Sequence, residues 1–155
     1  MKFRNPLLVV SNLEQSKSFY SKVLGLHVTV NFGQNVTLTG GICLQTKKSW
    51  LEIIEHPEEE LYFGGKNTEL YFEEDNFDQF IEMLEDLPEI QYVHPVKEHP
   101  WGQRVVRFYD PDMNIIEVGE NMKIVCQRFL SQGLTIEQVA KRMDVPEQYI
   151  KSYCY

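Results

Sequence analysis

Phe108-Tyr109-Asp110-Pro111-Asp112-Met113-Asn114-Ile115-Ile116-Glu117 is the stretch that decides the fold. Proline pre-sets the backbone dihedral a turn requires, so Asp110-Pro111 opens a tight turn between a strand over Gln103 to Tyr109 and another over Asn114 to Gly119. If Asp110 and Asn114 close that hairpin, cross-strand counting sets Arg107 opposite Glu117, and opposed residues share a face. The guanidinium could then neutralise the late carboxylate directly.

Upstream, the chain repeats one unit. In the second copy Thr68 to Glu73 is a strand, and Asn76 can cap a helix with Gln79 in capping-box spacing. Phe77, Phe80, Ile81 and Leu84 follow at helical spacing, and Ile90 to Val96 is the first of three strands. In the first copy Asn5 to Val10 is a short apolar strand, and Asn12 can cap a helix with Gln15 in the same relative place. Phe19, Tyr20, Val23 and Leu24 lie on that helix's buried side, and Gly25 stops it. Leu26 to Phe32, Asn35 to Thr39 and Ile42 to Thr46 are strands separated by Gly33-Gln34 and Gly40-Gly41. Both copies have the order βαβββ, and the matching caps favour internal duplication over coincidence. Between them, Ser49-Trp50-Leu51-Glu52 has capping-box spacing and predicts a short helix ended by Pro57, with a strand as the alternative. Glu58-Glu59-Glu60 is a solvated acidic stretch and Gly64-Gly65-Lys66-Asn67 a turn; without a Gly-Lys-Ser/Thr signature the latter gives little support to a phosphate loop.

The segment Phe19-Tyr20-Ser21-Lys22-Val23-Leu24-Gly25-Leu26, the Asp110 to Asn114 turn and Glu117, set in this order within a duplicated unit, resemble the vicinal-oxygen-chelate superfamily. That superfamily includes glyoxalase I, bleomycin-resistance proteins and extradiol dioxygenases. Met1 to about Glu120 carry the resemblance. It implies an α+β fold of two βαβββ modules, about 1–60 and 67–120, whose curved mixed sheets surround a shared pocket, commonly completed by dimerisation. Residues 121–155 form a helical C-terminal extension. The family often has glycine where Met113 stands, and methionine disfavours a left-handed backbone, which leaves the turn type open to change.

In metal-dependent relatives, side chains from the first strands of both modules and from the last strand converge on an ion. They are usually histidine or glutamine, then histidine, then glutamate. Matching motif to motif puts Asn5, Glu69 and Glu117 at these positions, with Cys43 or Gln45 as a further implied donor; only Glu117 is a standard match. Such oxygen donors suit magnesium, calcium or manganese better than nickel, zinc or ferrous iron. With Arg107 beside Glu117, an ion-paired pocket lining outweighs a metal site, so no cofactor is expected and a divalent metal is the lesser alternative. Two carboxylates brought close without metal could raise each other's pKa and shuttle a proton, which makes Glu69 and Glu117 the candidate catalytic pair. Alternation puts Tyr71 on the face of Glu69, and Val105 and Tyr109 on that of Arg107. Asn5, Tyr71, Trp101 and Arg107 are the candidate ligand-binding residues, suited to a small aromatic or carboxylate-bearing molecule. Trp101 lies beside His99 on a loop that in this fold tends to overhang the pocket mouth. His27 follows a helix, while His56, His94 and His99 precede prolines, where turn and surface roles are commoner than metal ligation.

The chain has 155 residues, 43% of them apolar, which suits one compact domain with a small appendage. No apolar run is long enough to cross a bilayer and no signal-peptide pattern opens the chain, so a soluble, cytoplasmic protein is expected. Cys43, Cys126 and Cys154 are odd in number and widely spaced, as ordinary reduced thiols would be. A net charge of -8 repels phosphate backbones and favours a small-molecule or protein partner over nucleic acid. In the extension, Met122 to Leu130 and Thr135 to Met143 have helical spacing around Gly133, and Pro146 opens a last helix. Leu134-Thr135-Ile136-Glu137-Gln138-Val139-Ala140 resembles the opening of a helix-turn-helix, with Val145-Pro146-Glu147-Gln148 near the usual start of a second helix. Five Lys/Arg against three Asp/Glu there place DNA binding behind a helical cap on the domain or dimer. The expected function is therefore small-molecule binding of the bleomycin-resistance kind. A lyase, isomerase or dioxygenase using Glu69 and Glu117 comes second, and a ligand-responsive DNA-binding regulator third.

Overall fold

The computed structural model describes residues 1–153; Cys154, expected as a reduced thiol, lies outside them. Two four-stranded mixed sheets carry the α+β architecture. In the first unit, β1 (Leu7–Val10), β2 (Val28–Asn31), β3 (Asn35–Leu38) and β4 (Cys43–Thr46) lie in the order β1-β4-β3-β2, with α1 (Leu13–Leu24) and α2 (Lys47–Ile54). In the second, β5 (Glu69–Glu74), β6 (Tyr92–Glu98), β7 (Arg104–Tyr109) and β8 (Ile115–Glu120) lie in the order β5-β8-β7-β6, with α3 (Phe77–Glu85) after β5. In each sheet the first strand runs parallel to the last and the remaining pairs are antiparallel. The two βαβββ modules thus share one topology. The extension forms α4 (Met122–Ser131), α5 (Ile136–Met143) and α6 (Glu147–Tyr153) within the second unit.

Local chemistry sets these elements. Asn12 caps α1 by accepting the Gln15 N–H, and Gly25 ends the helix in the left-handed region at φ 65°, where its N–H reaches the Ser21 carbonyl. The matching position Asn76 behaves differently. Its side-chain amide donates to Gln79 Oε1 at 2.7 Å while its N–H is taken by Glu74, so no backbone cap forms. The capping box expected at Ser49 is also absent, because α2 starts at Lys47 directly after β4 and Ser49 falls inside the helix, accepting from Gln45.

The turn after β7 is a buried knot of polar groups, belonging with the first unit. Asp110, 3% exposed, accepts from the N–H groups of Asp112 and Asn114 on one oxygen, and from the Tyr20 hydroxyl (2.8 Å) and the Asn114 amide (2.9 Å) on the other. Asp112 accepts from the Ser11 N–H and the Ser16 hydroxyl. Met113 stands at φ 65°, so the turn keeps its left-handed residue without glycine. Such strain costs about 1–3 kcal/mol, and hydrogen bonds to a charged group return about 1.5–3 kcal/mol each. Burial pushes the Asp110 carboxyl up from its ordinary range, against the pull of its donors. Burial first, then the Asp110 charge, raises the Tyr20 hydroxyl, so it remains a donor.

In the second unit, Phe77, Phe80 and Leu84 form the buried stripe of α3, and Phe80 lies 6.4 Å from Phe108 of β7 between ring centroids. The extension builds its own core from Val125, Cys126, Phe129, Val139, Ala140, Met143 and Ile150. Thr135 and Gln138 close a complete capping box on α5.

Tyr20→Phe removes one of four donors from a buried carboxylate, so unfolding free energy is expected to fall by about 1–3 kcal/mol. Urea denaturation followed by circular dichroism checks this; an unchanged midpoint would show that the hydroxyl contributes nothing.

Candidate functional site: a guanidinium between two carboxylates

The register of the second sheet gathers charge on one face. Glu117 of β8 lies opposite both Tyr71 of β5 and Arg107 of β7, so the three share a side with Glu69, two residues before Tyr71. The other side of β7 and β8 carries Val106, Phe108, Ile116 and Val118, all buried. The first side is a polar platform at Glu69, Tyr71, Arg107 and Glu117, although Val105 on it is fully buried, and the second is apolar until Arg104 and Glu120 pair at its end.

Arg107 organises that platform. Its Nε donates to Glu69 Oε2 at 2.7 Å, its Nη2 pairs with Glu117 Oε2, and its Nη1 lies 3.2 Å from His94 Nε2 on the neighbouring strand. The Glu117 side chain is 8% exposed against 37% for Glu69, so one carboxylate is sunk and its partner faces solvent. Tyr71 donates to Glu73 and accepts from Gln103 Nε2 at 2.8 Å. Burial, only partly offset by the Gln103 donor, moves its hydroxyl up to about 12. Trp101 stacks on His99 with ring centroids 4.2 Å apart and planes 16° from parallel, and its indole N–H donates to Gln103. His99 is held below the ordinary histidine range by burial first, then by the charge of Arg107.

Glu69, Tyr71, Arg107 and Glu117 are thus brought together on one sheet face, with Trp101 joined to Tyr71 through Gln103. Asn5 belongs to the first unit, where its amide nitrogen donates to the Gly41 carbonyl at 2.7 Å. In that unit Gln45 hydrogen-bonds Asn35 and Ser49, and Cys43 contacts Thr37. In the second unit a permanent cation, Arg107, contacts both Glu69 and Glu117, so these two carboxylates already share a counter-charge. Among the described residues, no group of three or more His, Cys, Asp or Glu is arranged to hold a metal. Sequence reasoning missed His94 and Gln103 as parts of the platform. Gln103 is buried, and it ties Trp101, Tyr71 and the Glu120 carbonyl together. The β6–β7 pairing would have located His94, had its register been regular.

Twin βαβββ modules with a polar sheet face define a protein of the vicinal-oxygen-chelate class. Comparison with known families agrees: residues 3–123 match the glyoxalase-like domain, and the chain belongs to that family. A crystal structure of a protein of unknown function from Agrobacterium tumefaciens str. C58 is 37% identical, with a TM-score of 0.70 over 78% of this chain and 94% of that one. A lactoylglutathione lyase from Agrobacterium tumefaciens is 25% identical, with a TM-score of 0.61 over 78% of this chain and 94% of that one. A glyoxalase/bleomycin resistance protein/dioxygenase from Nocardioides is 21% identical, with a TM-score of 0.64 over 77% and 83%, and shares the fold. No curated protein matches the chain. No described helix is long and apolar enough to cross a membrane.

Removing the cation should leave a buried carboxylate uncompensated. Arg107→Ala is expected to destabilise the protein by about 3 kcal/mol, and adding Glu117→Gln should recover much of that loss. A double-mutant cycle by chemical denaturation measures the coupling; additive effects would mean that the pair does not interact.

Proposed function

We propose that this protein binds a small planar molecule, carrying a carbonyl or carboxylate oxygen, against the Tyr71 and Arg107 face of the second sheet. No divalent ion takes part at Glu69 and Glu117 in this reading. The observation that carries it is the state of Arg107: pinned on several sides by Glu69, Glu117 and His94, yet with a side chain 22% exposed. A guanidinium fixed in this way is pre-organised to present remaining N–H groups to a ligand oxygen. Tyr71 and Trp101 add the apolar area that a planar ring would cover. Family membership supports small-molecule work on such a face.

A second reading rests on the two carboxylates. Glu69 and Glu117 touch the same guanidinium while one is buried and the other solvent-facing, an arrangement suited to passing a proton between substrate and water. Under that reading they are the catalytic residues of a lyase, isomerase or dioxygenase relative.

Isothermal titration with benzoate and 1-naphthoate tests the binding reading. Arg107→Ala should weaken affinity about ten-fold or more, the equivalent of losing one charge-assisted hydrogen bond. Equal affinity in the variant would remove Arg107 from the site. Elemental analysis of protein purified without chelator should find no stoichiometric divalent metal. One equivalent that disappears in Glu117→Ala would overturn the metal-free site.

A further inference from the structure

The family match ends at residue 123, so nearly all of the extension lies beyond it, yet the extension grips the turn that carries the aromatic stack. The turn runs from His99 to Gln103: the Gly102 N–H donates to the His99 carbonyl and the His99 N–H to the Gln103 carbonyl, each at 2.8 Å. Gly102 sits at φ +88°, and a Cβ built there would stand 2.2 Å from Cζ of Phe129 on α4. The Phe129 ring therefore occupies the space that any side chain at Gly102 would need. Arg128, the preceding residue of α4, donates to the Gly102 carbonyl at 2.5 Å and also reaches the buried carboxylate of Glu120. Arg142 of α5 lies over the same Phe129 ring, 5.7 Å from its centroid, and reaches Glu98 at the end of β6. Two successive residues of α4 thus seize one glycine from its Cα side and its carbonyl.

What that glycine steadies is the stack of His99 on Trp101. Gln103 accepts from the Trp101 indole and donates to the Tyr71 hydroxyl, so the stack is tied to the sheet face that carries Tyr71, Glu117 and Arg107. We infer that α4 is part of the ligand-binding apparatus: Phe129 and Arg128 are positioning residues that hold the His99–Trp101 stack at the edge of the Tyr71 and Arg107 face. This rests on the binding reading above for its purpose, though not for its geometry. Neither residue needs to touch the ligand. In this protein the His99 to Gln103 turn is braced by α4 residues that lie beyond the matched residues 3–123, and the brace sets how closely a planar molecule can be covered.

Trp50 and Trp101 are the only tryptophans, so Trp50→Phe leaves Trp101 as a sole reporter. In that background its acrylamide quenching is measured, together with the fall in emission on acidification, because a protonated imidazole quenches a stacked indole. His99→Gln identifies the acid-dependent step, which should lie below the ordinary histidine range. Phe129→Ala should raise the quenching constant about two-fold and shrink the step, as expected when a tethered turn is allowed to open locally. Arg128→Gln should do the same more weakly and Arg128→Lys less still, with helical circular dichroism retained. Quenching and step identical to the parent in both Phe129→Ala and Arg128→Gln would overturn the inference. Titration with 1-naphthoate separates the two readings. Weaker binding in Phe129→Ala supports the positioning role, whereas equal affinity despite an exposed Trp101 overturns it. If the parent binds no naphthoate while Phe129→Ala still exposes Trp101, the brace stands and the proposed ligand falls.

Discussion

A carboxylate removed from water must be met by donors, and the Asp110 turn is where this chain meets that demand most fully. Four hydrogen bonds converge on a side chain 3% exposed, and a fifth contact, from the Asp110 N–H to the Asn114 carbonyl, closes the hairpin. The consequence reaches well beyond the turn. Side chains alternate along a strand, so a slip of one residue would swing Arg107 or Glu117 to the side of Phe108 and Ile116, placing charge in an apolar layer. The polar knot holds the left-handed Met113 in place and fixes the pairing of Arg107 with Glu117. The register of the sheet face that carries the proposed site thus follows from the turn that closes its hairpin.

The choice of an arginine as the internal cation follows from geometry. Guanidinium N–H groups point in fixed, coplanar directions, and here different nitrogens face Glu69, Glu117 and His94. A lysine could supply the charge as a point but not this division of labour. A divalent ion would need several oxygen donors around it and would have to shed water to bind. An arginine on the central strand arrives with the fold. Burying Glu117 is tolerable only because this cation is present, and the exposed Glu69 brings the local balance to one negative charge that solvent can screen.

Much of the fold could be read from the chain because its signals are local. Helical spacing, the Asn12 cap, the Gly25 stop and the Asp-Pro turn each act within a few residues, and the unbroken pairing of β7 with β8 made Arg107 and Glu117 countable. Where a signal depended on orientation it misled. Asn76 has the same spacing as Asn12, yet its amide turns to the Gln79 side chain; Ser49 has a capping-box pattern but sits beyond a helix start dictated by β4. β1 begins at Leu7 rather than Asn5, since Pro6 has no N–H to give to a ladder. His94 escaped notice because β6 shifts register on both sides of it, and simple counting fails across a bulge. Gln103 and Glu120 matter through burial and through partners far along the chain, neither of which spacing reveals.

The charges of the extension bear on what it can do. Of its basic residues, Arg128 faces Glu120, Arg142 faces Glu98, and Lys151 pairs with Glu147 on its own helix. Recognition of a phosphate backbone depends on cations that release counterions when they bind, and cations already matched by carboxylates of the same unit offer little of that gain. The helix-turn-helix pattern has its apolar framework, with Val139, Ala140, Met143 and Ile150 all buried, while three of its five cations are matched by carboxylates of the same unit. The same pairings make sense as attachment. An acidic body draws a modestly basic extension onto itself, and the buried Glu120, shared by Arg104 from the sheet and Arg128 from α4, is the point where sheet and extension meet on a single carboxylate.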